Sequence, residues 1–279
     1  MIMKLLKYDI RGIGRKLLPL YGLAIALSLI NKINQSLLIQ PLLEGGMIQS
    51  SSFVTTLSGI LMGVYVLTIM AVFVITFFMM VARYNRSVFG DEGYLTHTLP
   101  ISQSQIIISK TLSFLFWSIA SALVAGISFF ILTYSSENWR LFTDFFRQFS
   151  YMLSQYFGGI GSTNRMAFLL FVLTVLIAPL TEILNIYLCI GIGNKFRHKI
   201  TAGVVAYLVI SSISSTLVGL LTNSITSRMV FTHDFNSTYF MGQPNFLPLM
   251  LMLFLFTLGQ AVLYFFFIKY IQEKQLNLE

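Results

Sequence analysis

The sequence predicts an all-α polytopic membrane protein with six transmembrane helices and both termini in the cytoplasm. Three observations carry this. Hydrophobic residues make up 56% of the chain and charged residues only 10%, against about 25% charged in an ordinary soluble domain. So few charges cannot cover a soluble globule of this size. The apolar residues also come in long runs, and a run of about 18 or more with few charges reads as a membrane span. Backbone amides in lipid must be satisfied within their own segment, which makes these runs helices. The short alternating segments of a β-barrel are absent.

The chain opens on an amphipathic stretch. At about 100° per residue, Ile2, Leu6, Ile10, Ile13 and Leu17 share one narrow sector, with Lys4, Lys7, Arg11 and Arg15 opposite. This is the pattern of a helix lying in the membrane surface, expected over residues 1–16; a generic positively charged start is the plainer reading. Pro19 fits the first turn of a new helix. The basic start, with Ala24 and Ala26 two apart, also has features of a cleaved signal. The order of the preceding segment favours a retained first helix.

The first span is expected from Leu17 into the thirties, where Asn31, Lys32, Asn34 and Gln35 mark its outer end. The second covers Leu57–Ala82, the third Gln105–Tyr134, the fourth Met166–Ile190, the fifth Ile200–Leu221 and the sixth Phe246–Ile268. Orientation follows from the 18 basic residues, because Lys and Arg accumulate on the cytoplasmic side. Lys4, Lys7, Arg11, Arg15, Lys16, Arg83, Arg86, Lys110, Lys195, Arg197, Lys199, Lys269 and Lys274 fall on the side of the N-terminus. Only Lys32, Arg140, Arg147, Arg165 and Arg228 fall on the other. The formal net charge of +8 therefore reflects membrane orientation, not nucleic-acid binding.

Between the third and fourth spans, residues 138–157 predict an amphipathic outer helix. Trp139, Phe142, Phe145, Phe146, Phe149, Leu153 and Tyr156 share one half of the wheel. Arg140, Asp144, Arg147, Gln148 and Gln155 share the other, and Gly158, Gly159 and Gly161 end it. Such a helix either caps a cavity or floats in the interface. The polar segment Thr222–Asn245, with Pro244 and Pro248 near its end, is long for a plain loop, and re-entry toward the membrane is one reading of it.

Several chemistries find no support. There is no G-x-x-x-x-G-K-[ST] phosphate loop, no H-E-x-x-H zinc motif and no G-x-S-x-G elbow. Cys189 is the only cysteine, so neither an internal disulfide nor a cysteine-based metal cluster can form. No catalytic residue, metal site or cofactor is expected in this chain.

The most specific stretch is the cytoplasmic loop from Arg83 to Lys110. Gly90 and Gly93 punctuate turns with Asp91 and Glu92 between them, and Tyr94, Leu95 and Leu99 are apolar. Ser102 with Gln105 forms a capping box for the third span. Exposed apolar side chains in an ordered loop fit docking to a soluble partner. The alternative is a tight connector whose Tyr and Leu pack on the inner helix ends.

The run Phe-Gly-Asp-Glu-Gly-Tyr-Leu-Thr-His-Thr-Leu-Pro, followed by Ser102 and Lys110, resembles the segment after the second span in bacterial ABC exporter permeases of the ABCG-like, or type V, class. The plan of an amphipathic start, six spans and a loop after span two is similar over the whole chain. The resemblance implies a coupling helix in this loop that seats in a groove of a separate ATPase subunit. It places Asp91, Glu92, Tyr94, Leu95 and His97 at or near that contact. It also implies ATP and magnesium in the partner ATPase, a second permease half (the same chain or a sibling permease) and a bacterial inner membrane. Unlike the larger ABCG proteins, this chain has no fused ATPase.

Two further features lie in the spans. Glu182 is the only acid well inside a span, and a charge in lipid costs about 2.5–3.5 kcal/mol on insertion scales. It is expected to face the bundle interior, near Asn185, Thr174 and Ala178, with Pro179 freeing a carbonyl nearby. The fifth span carries Ser211, Ser212, Ser214, Ser215 and Thr216. Glu182, Asn185, Ser211 and Ser215 are thus candidates for a pathway or gate, with interhelical packing as the plainer role. The function expected from all this is the permease subunit of an ATP-driven exporter working by alternating access. Peptides, antibiotics or hydrophobic compounds are the implied cargo, and resistance to antimicrobial peptides is one implied role. An ion-coupled secondary transporter and a non-transporting membrane scaffold are the alternatives.

Overall fold

A computed structural model describes residues 2–36, 52–90, 93, 102–134, 136–157, 162–231 and 247–275. Among these residues seven α-helices follow one another and no strand occurs. They are α1 (Ile2–Asn34), α2 (Ser52–Val88), α3 (Gln103–Thr133), α4 (Ser136–Phe157), α5 (Ser162–Gly193), α6 (Lys199–Phe231) and α7 (Leu247–Gln275). All except α4 contain a stretch long and apolar enough to cross a membrane, which gives six spans. The hydropathy reading is therefore sound in number and order.

The helices overrun the expected spans, because helix geometry does not stop where lipid does. With 33 residues, α1 is about 50 Å long at 1.5 Å per residue, against a hydrocarbon core of about 30 Å. It passes through Pro19 without a break. Proline removes one backbone hydrogen bond, but its ring lies on the exposed side here, and long spans accommodate such a loss. The amphipathic start is thus the first turns of the same helix and not a separate one. Its basic residues Lys7, Arg11 and Arg15 are exposed, while Ile13 and Leu17 pack into protein. At the other end of the chain, Thr222–Phe231 continues α6 and is no loop. The re-entry reading for the rest of that segment falls on residues 232–246, outside those described.

The chain forms two compact units. Unit 1 comprises Met1–Ser87 and Ile108–Thr143; unit 2 comprises Val88–Ile107 and Asp144–Glu279. Unit 1 is held by a polar seam. The buried positions of α1 (Asp9, Ile13, Leu17, Tyr21, Ala24, Ser28, Asn31) recur every three or four residues, the spacing of one helix face. Tyr21 Oη and Ser121 Oγ lie 2.7 Å apart, and Ser121 Oγ and Thr76 Oγ1 3.0 Å, so α1, α2 and α3 share one hydroxyl cluster. Toward the other end Ser128 Oγ donates to the Ala24 carbonyl, and Asn31 Nδ2 donates to the Leu61 carbonyl. Gly14 makes the close approach possible: a Cβ there would stand 3.2 Å from the Trp117 ring. Between apolar helices in lipid there is no hydrophobic drive, so small residues and interhelical hydrogen bonds carry the association.

In unit 2, α5 packs on both α6 and α7. The turn from α5 to α6 depends on glycine, since a Cβ at Gly193 would lie 2.5 Å from the Lys199 carbonyl oxygen and 2.9 Å from the Gly203 nitrogen.

The charge bias makes a labelling prediction. With Cys189 replaced by Ala, single cysteines at Ser52, Gly159 and Asn236 should react with an impermeant maleimide from outside. Cysteines at Gly90 and Lys274 should react only after the membrane is opened. Labelling of Gly90 from outside would overturn the orientation.

Candidate functional site

The loop between α2 and α3 is fixed at its roots. Phe89 and Gly90 form a turn after α2, and the Gly93 N–H donates to the Gly90 carbonyl at 2.8 Å. Gly93 is buried, and a Cβ there would lie 2.7 Å from the Val88 carbonyl oxygen, so the turn closes this tightly only with glycine. On the far side the Ser102 carbonyl accepts from Gln105 N–H at 2.9 Å, and α3 starts at Gln103. Ser102 thus occupies the cap position that its spacing to Gln105 predicts. Asp91, Glu92, Tyr94, Leu95 and His97 lie outside the described residues.

Each unit has its own contacts near the loop's roots. In unit 1, Asp9 of α1 reaches the base of both flanking helices. Its Oδ1 accepts from Arg83 Nε at 3.1 Å, and its Oδ2 accepts from Lys110 Nζ at 2.6 Å. The Asp9 and Lys110 side chains are only 4% and 8% exposed, so this is a buried, charge-assisted pair with a second cation on the free oxygen. In unit 2, the first loop residue packs on helix ends: a Cβ at Gly191 of α5 would meet Phe89 at 3.5 Å and Ile271 of α7 at 3.3 Å. Val88, Ile106 and Ile107 are buried beside it in sequence.

Asp9 is the residue at this candidate site that sequence reasoning overlooks. The signal exists: at about 100° per residue Asp9 falls beside Ile2 and Ile13, on the apolar sector. An acid there, with basic residues at the inner ends of the next two spans, is a pairing waiting to be noticed.

The four span residues separate. Asn185 is buried, and its Nδ2 donates to Ser211 Oγ across α5 and α6 at 3.4 Å, so these two do meet. Cys189 Sγ contacts Asn185 Oδ1 at 3.6 Å. Nearby, Gln260 of α7 donates to Ser214 Oγ, and Thr181 Oγ1 faces the Thr257 carbonyl. Gln260 was not foreseen, although an amide in mid-span is a recognisable sign of interhelical bonding. Ser215 takes no part. It is exposed and donates back to the Ser212 carbonyl in its own helix.

Glu182 is exposed in the single chain, where the expectation placed it toward the bundle interior. The buried face of α5 follows Thr181, Leu184, Asn185 and Leu188, and Glu182 sits about 100° away from Thr181. With α5 ending at Gly193, Glu182 stands roughly 17 Å from that end at 1.5 Å per residue, which is near the middle of the lipid core. Among the described residues no cluster of His, Cys, Asp and Glu is placed to hold a metal ion. No protein-family model, curated protein or solved structure matches the chain.

Proposed function

We propose that the chain is the transmembrane permease subunit of an ATP-driven exporter, served by separate ATPase subunits and completed by a second permease half. The observation that carries this reading is the run from Phe89 to Pro100, whose neighbours in sequence are anchored in their own units. An ATPase that moves its transporter must push on something stiff. Arg83 and Lys110 lead through Asp9 to α1, and Phe89 leads to α5 and α7. Within unit 1 a displacement at Arg83 or Lys110 reaches α1, and within unit 2 a displacement at Phe89 reaches α5 and α7.

The exposed Glu182 fits the same reading. A carboxylate near mid-membrane is costly against lipid, so its surface is one that a polar path or the second half would cover. Glu182→Gln and Glu182→Ala should both melt within about 0.5 kcal/mol of the parent, as surface changes do. Glu182→Ala should lower transport by about tenfold or more, the scale of one lost hydrogen bond to a charge. Undiminished transport in both variants would remove Glu182 from the path.

The direct test is isolation of the chain from membranes in mild detergent. A nucleotide-hydrolysing subunit with a phosphate-binding loop should copurify in stoichiometric amount, and the pair in vesicles should hydrolyse ATP. Isolation without such a subunit, together with transport driven by an ion gradient, would favour a secondary transporter.

A further inference from the structure

The helix α4 is 22 residues long, about 33 Å at 1.5 Å per residue. That matches the lipid core, yet α4 is not among the six spans, because Arg140, Asp144 and Arg147 interrupt it. Its composition divides by face. Trp139, Phe142, Phe145, Phe146 and Phe149 project from one half, and every one of them is between 46% and 60% exposed. Phe145 and Phe149 stack with their planes 11° apart, as do Trp139 and Phe142 at 23°, so the rings form an ordered sheet. The charged residues project from the opposite half and are exposed as well. Trp139, Phe145 and Phe149 thus present much of their ring surface outward, and a clustered aromatic surface of this kind marks a contact with an apolar medium or partner.

The tethers of α4 decide what that partner is. Only two residues separate α3, a span ending at Thr133, from the start of α4 at Ser136. Four separate its end at Phe157 from α5, which contains the next span. A fully extended chain covers about 3.6 Å per residue, so the two ends of α4 lie within about 11 Å and 18 Å of helices that cross the membrane. A helix of about 33 Å held this closely at both ends cannot stand upright from the surface. It must run along it. The first ring of the aromatic face, Trp139, also meets Phe130 near the end of α3, edge to face at 6.0 Å. This sets the face at the level where a span leaves the lipid.

We infer that α4 lies flat in the membrane–water interface on the side opposite the termini, with its aromatic face in the acyl-chain boundary of the lipid and Arg140, Asp144 and Arg147 among headgroups and water. A large apolar face, a charged face and low net hydrophobicity are the combination that holds a helix in this position, and Trp and Tyr favour that depth.

The test is a spin-label scan of residues 142–149 in the full chain, with Cys189→Ala as background, in vesicles of phosphatidylethanolamine and phosphatidylglycerol. Accessibility to oxygen should peak at Phe142, Phe145 and Phe149, and accessibility to a water-soluble nickel chelate at Asp144 and Gln148. The two profiles should run about 180° out of phase with a period of 3.6 residues. Labels at Phe145 and Phe149 closed to both reagents would mean that protein covers the face, and labels open to nickel all round would mean that α4 stands in water. Either result overturns the inference. Should the Cys189→Ala chain fail to insert, quenching of Trp139 fluorescence by shallowly brominated lipid, in a Trp117→Phe chain that leaves Trp139 as the one tryptophan, gives the same answer: strong quenching supports it, and none overturns it.

Discussion

Asp9→Ala is expected to cost more stability than any other single change to unit 1. The carboxylate is bound by Lys110 at 2.6 Å and by Arg83 at 3.1 Å. Lys110 is almost wholly buried, so removal of Asp9 takes a counter-charge at 2.6 Å from an ammonium in a low-dielectric setting. Breaking one side of a buried pair typically costs about 3–5 kcal/mol. At about 1.4 kcal/mol per tenfold, that shifts the folding equilibrium by two to three and a half orders of magnitude. The measurement is thermal unfolding in detergent, with monodispersity followed in parallel. Asp9→Asn should fall between parent and alanine, because one amide oxygen still accepts a hydrogen bond. The control that isolates charge from volume is Asp9→Leu with Lys110→Met. Apolar replacement of both partners is often neutral or stabilising, so the double variant should recover most of the loss. A melting point for Asp9→Ala equal to that of the parent would show that the pair contributes nothing.

The spans and α4 were legible for one physical reason. Lipid punishes polar backbone and charge along a whole segment, so the signal is summed over about 20 residues and survives any local exception. The helix over 138–157 was legible in the same cumulative way, since seven apolar positions shared its face. What was not legible was pairing. Asp9 finds Arg83 and Lys110 at separations of 74 and 101 residues, and no local pattern encodes such distances. Glu182 failed differently. The rule that an acid turns inward concerns the assembled membrane protein, while the residues that cover α5 here are chosen by the Thr181–Asn185 stripe. Ser211 and Ser215, four apart on one helix, parted for a related reason. Only Ser211 faces α5 and finds Asn185, whereas a hydroxyl without a neighbour bonds its own backbone.

Tyr94→Ala combined with Leu95→Ala is expected to abolish coupling while leaving the membrane fold intact. Both residues lie in the α2–α3 loop, outside every span, so insertion and the melting point should hold. On the proposed function, two apolar side chains next to Asp91 and Glu92 in the sequence would serve as an anchor beside charges, with the acidic neighbours orienting a basic groove. Truncating an anchor at the centre of an interface commonly costs 2 kcal/mol or more, about thirtyfold in affinity. The double variant should therefore release the ATPase subunit in detergent, or retain it with hydrolysis no longer stimulated by cargo. The two defects are separable. Loss of association alone would make Tyr94 and Leu95 the grip, whereas retained association with uncoupled hydrolysis would make them the lever that works against the roots at Arg83, Phe89 and Lys110. Full association together with full stimulation by cargo would show that the ATPase engages this chain elsewhere. In that case the Asp9 linkage would be a structural tie and no part of a transmission.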